Sequence, residues 1–247
     1  MGSNEAKAQL EGARHHWGRW DGPESVDAES IRTAAEARRV FFSRKGPRFV
    51  LKTAAVAWGV RALFGRPRWT DAAIAAGVVA YWPFQEWAVH KYLLHIEPRN
   101  RGGKKVDPSF AKRHRAHHRY PRDVDLALLP RASMVHGLPV HAALWLLSSP
   151  TKRSAVTGLA SVTTMTLIYE WTHFIVHTGV KPTSALGRRI RRNHRRHHFY
   201  NENYWHTFTF PPVDTLLGTD PDVRSVGKSE TARNLHGLDD DDAATVG

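Results

Sequence analysis

Apolar and polar positions follow one another along this chain in long blocks, a pattern that predicts helices. Four apolar stretches stand out. Residues 49–64 are broken only by Lys52 and Arg61, which can snorkel from the ends of a short span. Residues 72–85 carry no charge and are extended by Trp87, Ala88 and Val89, with Pro83 a kink inside them. Residues 133–149 lack Asp, Glu, Lys and Arg but hold His136, Pro139 and His141; residues 154–169 are uncharged and continue past Glu170 to Val176. None is an unbroken run of about 18 apolar residues, so each taken singly is a marginal membrane span.

The connections sharpen the pattern. Residues 65–71 join the first two stretches and residues 150–153 the last two, lengths that suit two tight helical hairpins. Ahead of them, residues 28–46 have helical spacing with Ile31, Ala35 and Phe42 on one side and several Arg on the other. Such a helix can lie on a membrane surface or pack as an ordinary amphipathic helix. The expected organisation is a polar N-terminal arm with this helix over residues 1–48, a membrane and metal-binding unit over 49–219, and a polar tail over 220–247.

Charge changes the picture once it is located. The 247 residues carry a formal net charge of +13 and a pI near 10.4, with a mean hydropathy of -0.46, values that first suggest a soluble partner for nucleic acid. Residues 99–122 hold nine Lys/Arg and one acid, and residues 181–196 hold seven Lys/Arg and no acid, so these two patches exceed the whole net charge. Both lie outside the hairpins, after the second and fourth stretches. If the hairpins cross a bilayer, both patches fall on one side, and the positive-inside tendency makes that side, and both termini, cytoplasmic. Arg66, Arg68, Lys152 and Arg153 in the opposite turns weaken the asymmetry without reversing it. With no Cys in the chain, disulfide frameworks, thiolate zinc sites and cysteine nucleophiles are excluded. The N-terminus lacks the apolar core of a cleavable signal, so insertion would rest on internal segments.

Histidine spacing carries the chemistry. His90 and His95 form H-x4-H; His114, His117 and His118 form H-x2-H-H; His173 and His177 form H-x3-H; His194, His197 and His198 repeat H-x2-H-H. Ten of the 16 His fall within these 21 residues, where uniform scatter would place about one. Imidazole is neutral near pH 7 and binds first-row metals through nitrogen. On helices, His173 and His177 share a face, as do His194 and His198, whereas adjacent residues point about 100° apart. One member of each H-H doublet can therefore serve one metal while its neighbour serves another. His90 and His95 are about 140° apart on an α-helix and more naturally reach different metals, or sit where the helix ends. Ten imidazoles exceed the needs of one ion. A basic run such as RRIRRNHRRHH can bind phosphate, but phosphate binding does not explain a matching H-x2-H-H 80 residues earlier.

In these motifs the sequence resembles the fatty acid hydroxylase superfamily of integral-membrane histidine-box oxygenases, which also includes sterol desaturases and methyl oxidases. The carriers are FQEWAVHKYLLH at 84–95, HRAHHRYPRDVD at 114–125, YEWTHFIVH at 169–177, NHRRHHFYNENYW at 193–205 and PPVDTLLGT at 211–219. The box order, with Pro121 and Asp123 after the second box, is most similar to the fatty acid 2-hydroxylase branch. The resemblance implies an all-α fold: a four-helix transmembrane bundle with a cytoplasmic helical cap carrying a di-metal histidine site. It implies all ten box histidines as ligands, two iron ions for turnover (zinc can occupy such sites in isolated protein), and O2 as co-substrate. The implied reaction is hydroxylation of an unactivated C–H bond of a fatty acyl or related lipid chain. A desaturase, or an oxygenase acting on a sterol, sphingoid base or carotenoid, is the alternative with the same metals. Two electrons must come from outside: no His-Pro-Gly-Gly haem motif occurs, so a separate cytochrome b5-like or ferredoxin/reductase donor is expected, along with a lipid substrate, a membrane and no nucleic acid.

Three further residues are candidates for supporting the ligands. Glu170, one turn before His173, can accept a hydrogen bond from a ligand imidazole or pair with an Arg. Asp123 can do the same for the second box or cap a turn. His206 follows the last box and can line the substrate entrance or support a ligand.

Overall fold

The protein was analysed as a computed structural model, which describes residues 26–236. The expected polar arm before residue 26, and the expected tail beyond residue 236, lie outside the described residues. The apolar blocks become helices α1 (Ala34–Ser43), α2 (Lys45–Ala62), α3 (Trp69–Ala88), α6 (Arg131–Ser148) and α7 (Lys152–His177). The polar, histidine-bearing blocks become α4 (Ser109–Arg119) and α8 (Ala185–Phe199), with short helices α5 (Val124–Ala127) and α9 (Pro212–Leu216). A two-stranded antiparallel hairpin, β1 (Arg99–Arg101) and β2 (Lys104–Val106), turns through Gly102 and Gly103 at φ 58° and 75°, values that glycine adopts without a side-chain penalty.

Local chemistry explains the helix starts. Thr33 and Glu36 form a reciprocal capping box on α1. Thr151 accepts the Ser154 N–H at the start of α7, and Ser184 accepts that of Gly187 at the start of α8. Helix α7 is the axis of the fold, and α2, α3 and α6 all pack against it. Close approach to α6 occurs at Gly158, where a Cβ would lie 2.2 Å from the Trp145 ring. The short links at 63–68 and 149–151 create the two expected hairpins, but α2 and α3 pack on α7 more than on each other.

Two expectations are corrected. Arg61 does not snorkel: it is buried, gives Asp71 a two-pronged ion pair at 2.8 and 2.5 Å, and shares that carboxylate with Arg153 at 2.6 Å and the Thr157 hydroxyl at 2.7 Å. A carboxylate surrounded by two guanidinium groups is a better partner for Arg61 than an interface. This cluster ties the N-terminal ends of α3 and α7 together, leaving their C-terminal ends to carry histidines. Second, the buried side of α1 is not the one carrying Ala35 and Phe42, which are exposed. Ile31, Ala37 and Phe41 are buried in a core with Val124, Leu128 and Phe174, and Phe41 meets Trp171 edge-on at 5.2 Å. Among the described residues no helix is long and apolar enough to cross a membrane.

Candidate metal centre

Ten histidines arrive from four elements. A six-residue π-helical turn (Val89–Leu94) continues α3 and carries His90, with His95 at its end; α4 contributes His114, His117 and His118, the last turns of α7 His173 and His177, and α8 His194, His197 and His198. They form two groups of five: His90, His95, His114, His118 and His197 in one, and His117, His173, His177, His194 and His198 in the other. Within each group the candidate ligand atoms all lie within 4.8 Å of one another. Each H-H doublet is divided between the groups, as its 100° step allows. His90 and His95 are not divided; of the two readings, the one that holds is that the pair sits where the helix ends, with His95 as the cap. The π turn closes on i,i+5, so residues five apart return to one face.

Hydrogen bonding to the outer ring nitrogens determines what the inner ones can do. His90 Nδ1 lies 2.6 Å from the His206 carbonyl, His118 Nδ1 2.9 Å from that of Ala232, and His197 Nδ1 2.7 Å from that of Tyr204. A carbonyl only accepts, so each of these rings carries its proton on Nδ1 and turns a bare Nε2 lone pair inward. His118 Nε2 and His197 Nε2 are nevertheless 3.2 Å apart, and neither has a hydrogen to offer the other. His114 Nε2 sits 3.0 Å from His90 Nε2 and 3.1 Å from His118 Nε2. Converging lone pairs at this separation repel unless a cation lies among them, so the donor set fits a metal ion. The second group has the same inward convergence, with Nε2–Nε2 separations of 3.1 Å for His117–His173, 2.8 Å for His177–His194 and 3.1 Å for His194–His198.

Burial keeps the ligands in the form a metal needs. It drives His114, His117, His194, His197 and His198 well below the ordinary imidazole value, with neighbouring imidazoles adding to the shift. His118 is pushed down to about 3, again mainly by burial, against a smaller opposing pull from the Ala232 carbonyl. All are neutral at pH 7, with lone pairs available.

Two of the three supporting carbonyls come from the loop after α8, which ends the last histidine motif. Trp205 is fully buried at φ 57°, a costly conformation for a bulky residue, and its two neighbours supply the acceptors for His197 and His90. Two buried carboxylates hold this loop. Asp214 accepts the N–H groups of His206 and Thr207 at 2.9 and 2.8 Å; Glu86 accepts those of Phe208 and Thr209 at 2.6 and 3.1 Å. Glu86 is the lone acid that interrupts an apolar run in FQEW, and Asp214 stands in PPVDTLLGT; an isolated carboxylate in such surroundings was the available signal.

The three supporting candidates occupy different roles. His206 is outside both groups; its ring nitrogen Nε2 donates to the Asn203 carbonyl, and its contribution is the main-chain oxygen on His90. Asp123 caps α5, accepting from Asp125 and Leu126 N–H. Glu170 Oε2 accepts the Leu129 N–H at 2.9 Å, and its Oε1 has no hydrogen-bond partner among the described residues, so the carboxylate does not hold an imidazole. The segment after 220, expected as a tail, is built into the site as far as residue 236: Ala232 and Leu235 are buried, and Ala232 supplies the carbonyl for His118.

Two adjoining cavities reach the histidines. One, of about 240 Å³, lies among the long helices, lined by Val50, Trp82, Leu138, Leu159 and Val162, and it ends at His90 and Tyr169. The other, of about 400 Å³, is bounded by His114, His117 and His173 and by Phe110 and Leu126. They share Leu94, Leu129, Ser133 and Tyr169 in their walls. An apolar space thus adjoins a second one faced by imidazoles of both groups.

The fatty acid hydroxylase family profile matches residues 75–219, more than half of the chain and all ten histidines. The chain belongs to the fatty acid hydroxylase family. Two curated relatives, both from Arabidopsis thaliana, place the resemblance in the 2-hydroxylase branch. Dihydroceramide fatty acyl 2-hydroxylase FAH2 is 26% identical over 156 residues, 63% of this chain and 63% of that protein. FAH1 is 24% identical over 150 residues, 60% of this chain and 61% of that protein. The chain therefore spans less than two thirds of the length of either relative. A solved structure described as full-length Scs7p, with only the hydroxylase domain visible, superposes with a TM-score of 0.62 at 21% identity, covering 74% of this chain and 68% of that one. At that identity the likeness concerns the fold: a hydroxylase-type helical framework.

Proposed function

We propose that this fatty acid hydroxylase family member is a membrane-embedded di-iron enzyme that hydroxylates a C–H bond of a lipid acyl chain. The observation that carries the reading is that the apolar cavity shares four wall residues with the imidazole-walled one, so a linear hydrocarbon that passes from the first space toward the second would present a carbon to both histidine groups. His90, His95, His114, His118 and His197 would hold one iron, and His117, His173, His177, His194 and His198 the other. Two irons there supply activation of O2 and oxidation of an unreactive C–H bond, with two electrons from a separate donor. Protein groups do the rest. Val50, Leu138, Leu159 and Val162 bind the chain by excluding water. Phe208, stacked on His173 at 4.7 Å and against Tyr169 at 4.8 Å, packs behind two of the residues that line the cavities. Main-chain carbonyls fix the inward lone pairs.

Membrane embedding is supported by side chains left exposed on the long helices: Val56 and Trp58 on α2, Val79, Tyr81 and Phe84 on α3, and Val140, Leu144 and Leu147 on α6. Apolar exposure on this scale needs a nonaqueous neighbour. Two of the charges in these helices, Arg61 and Asp71, are paired in a buried cluster with Arg153 of α7. The basic patches at 99–122 and 181–196 would face the cytoplasm, where anionic headgroups or an acidic electron carrier complement them.

Lipids from cells expressing the wild type or a His197→Ala/His198→Ala variant, each supplied with iron and an electron donor, test this function by mass spectrometry. Hydroxylated acyl chains are expected only with the wild type. Identical lipid profiles, with the wild type loaded with iron, would contradict the proposal.

A further inference from the structure

The family match ends at residue 219, yet the chain continues over the first histidine group. Residues 227–236 form a strap attached at several points. The Ser229 N–H donates to the Tyr200 carbonyl at 2.8 Å, Arg233 donates to that of Arg119 at 3.0 Å, and His236 Nε2 donates to that of His95 at 3.1 Å. Leu235 is buried, and with His236 it walls a cavity of about 230 Å³ whose other side includes His95 and His206. The strap's inward contribution is the Ala232 carbonyl, which accepts from His118 Nδ1. One residue earlier, the Thr231 hydroxyl donates to Glu202 Oε1 at 2.5 Å, and the Ser229 hydroxyl donates to the same oxygen at 2.9 Å. Glu202 is itself buried and belongs to the loop that follows α8, the helix carrying His197.

We propose that Glu202 is a positioning residue: by pinning Ser229 and Thr231 it holds the Ala232 carbonyl on His118, and the strap is thereby a working wall of the first metal site only. This rests on the two-metal reading above and adds to it an asymmetry between the sites. Main-chain acceptors serve His90, His118 and His197 in the first group and, through Ala127, only His173 in the second, and Ala232 is the one supplied from outside the family-matched region. With the pin removed, His118 can turn its proton inward, and a ligand lone pair is lost. Changes at such outer partners typically cost about 10- to 100-fold in metal affinity.

The test uses the full chain in detergent, loaded anaerobically with ferrous iron, then challenged with a graded chelator while iron per chain is measured. Glu202→Ala and the double variant Ser229→Ala/Thr231→Val break the pin from opposite sides. Both are expected to release one iron at about 10- to 100-fold lower chelator strength than the wild type and to keep the other, whose retention also reports an intact fold. Glu202→Gln keeps a side-chain oxygen for both hydroxyls and is expected to restore wild-type retention. Variants that hold both irons as tightly as the wild type, or that release both together, overturn the role of the strap. A wild type that binds no iron overturns the two-metal reading beneath it.

Discussion

His118 Nε2 and His197 Nε2 face each other across 3.2 Å while each ring spends its only proton on a main-chain carbonyl behind it, Ala232 for His118 and Tyr204 for His197. Two lone pairs held this way are a metal site in waiting, since the protein has arranged the acceptors that prevent either ring from relieving the contact by itself. The same relationship explains why the surrounding loop, with Trp205 at positive φ, is maintained at a cost in backbone energy.

The division of each doublet between groups has a direct consequence. His117→Ala and His118→Ala alter adjacent residues but different groups, so each is expected to lower bound iron from about two to about one per chain, at different sites. Their X-ray absorption spectra should differ from each other as well as from the wild type. Indistinguishable spectra for the two variants would contradict the division.

Acid should loosen the fold in a defined window. Burial holds His118 and His206 down at about 3 against an ordinary value of 6.5, so the folded chain stays neutral where the unfolded chain takes up protons. Their contribution to stability is complete above about pH 6.5 and is lost as pH falls from there toward 3. The melting temperature of metal-free protein is expected to fall steadily from pH 7 to pH 4, and iron to be released over the same range. A flat profile would count against buried neutral imidazoles.

Filling the apolar cavity should change which chains are accepted without touching the metals. Leu159→Trp adds bulk to its wall at a distance from the histidines. Two irons per chain are expected to remain, with longer acyl products reduced at least tenfold relative to shorter ones. Unchanged chain-length preference would mean that the substrate lies elsewhere.

Asp214 supports the carbonyl-bearing loop and should be costly to remove. Asp214→Ala strands the buried N–H groups of His206 and Thr207, a loss of about 3 kcal/mol in unfolding free energy. Asp214→Asn keeps an acceptor and should recover part of it. Denaturant unfolding in detergent measures both, and equal stability of Asp214→Ala and wild type would refute the role.

Much of the site was legible in spacing alone. The i,i+4 relation of His173 and His177 and the 100° step within each doublet are properties of the α-helix, so sequence separation translates directly into direction. His90 and His95 were half legible: their place at a helix end held, but one π turn replaces the α geometry that would send them to different metals, and nothing local in VHKYLL announces it. Arg61 was misplaced because its partner, Asp71, lies across a turn and Arg153 comes from the other hairpin. The Ala232 carbonyl was invisible for a simpler reason: a main-chain oxygen has no residue signature, and a polar segment such as 227–236 shows no periodicity when its attachments are hydrogen bonds. Packing of α1 into the core was half legible, since an amphipathic helix always has an apolar face and only tertiary contact decides what covers it.

The claim on which the rest depends is that ten imidazoles make two metal sites. Its most direct measurement is iron content of the full chain purified anaerobically under reducing conditions, by elemental analysis against protein concentration from amino-acid analysis. Two ions per chain are expected, falling to about one in His118→Ala. One ion or none in the wild type, under conditions of iron excess, would contradict the account.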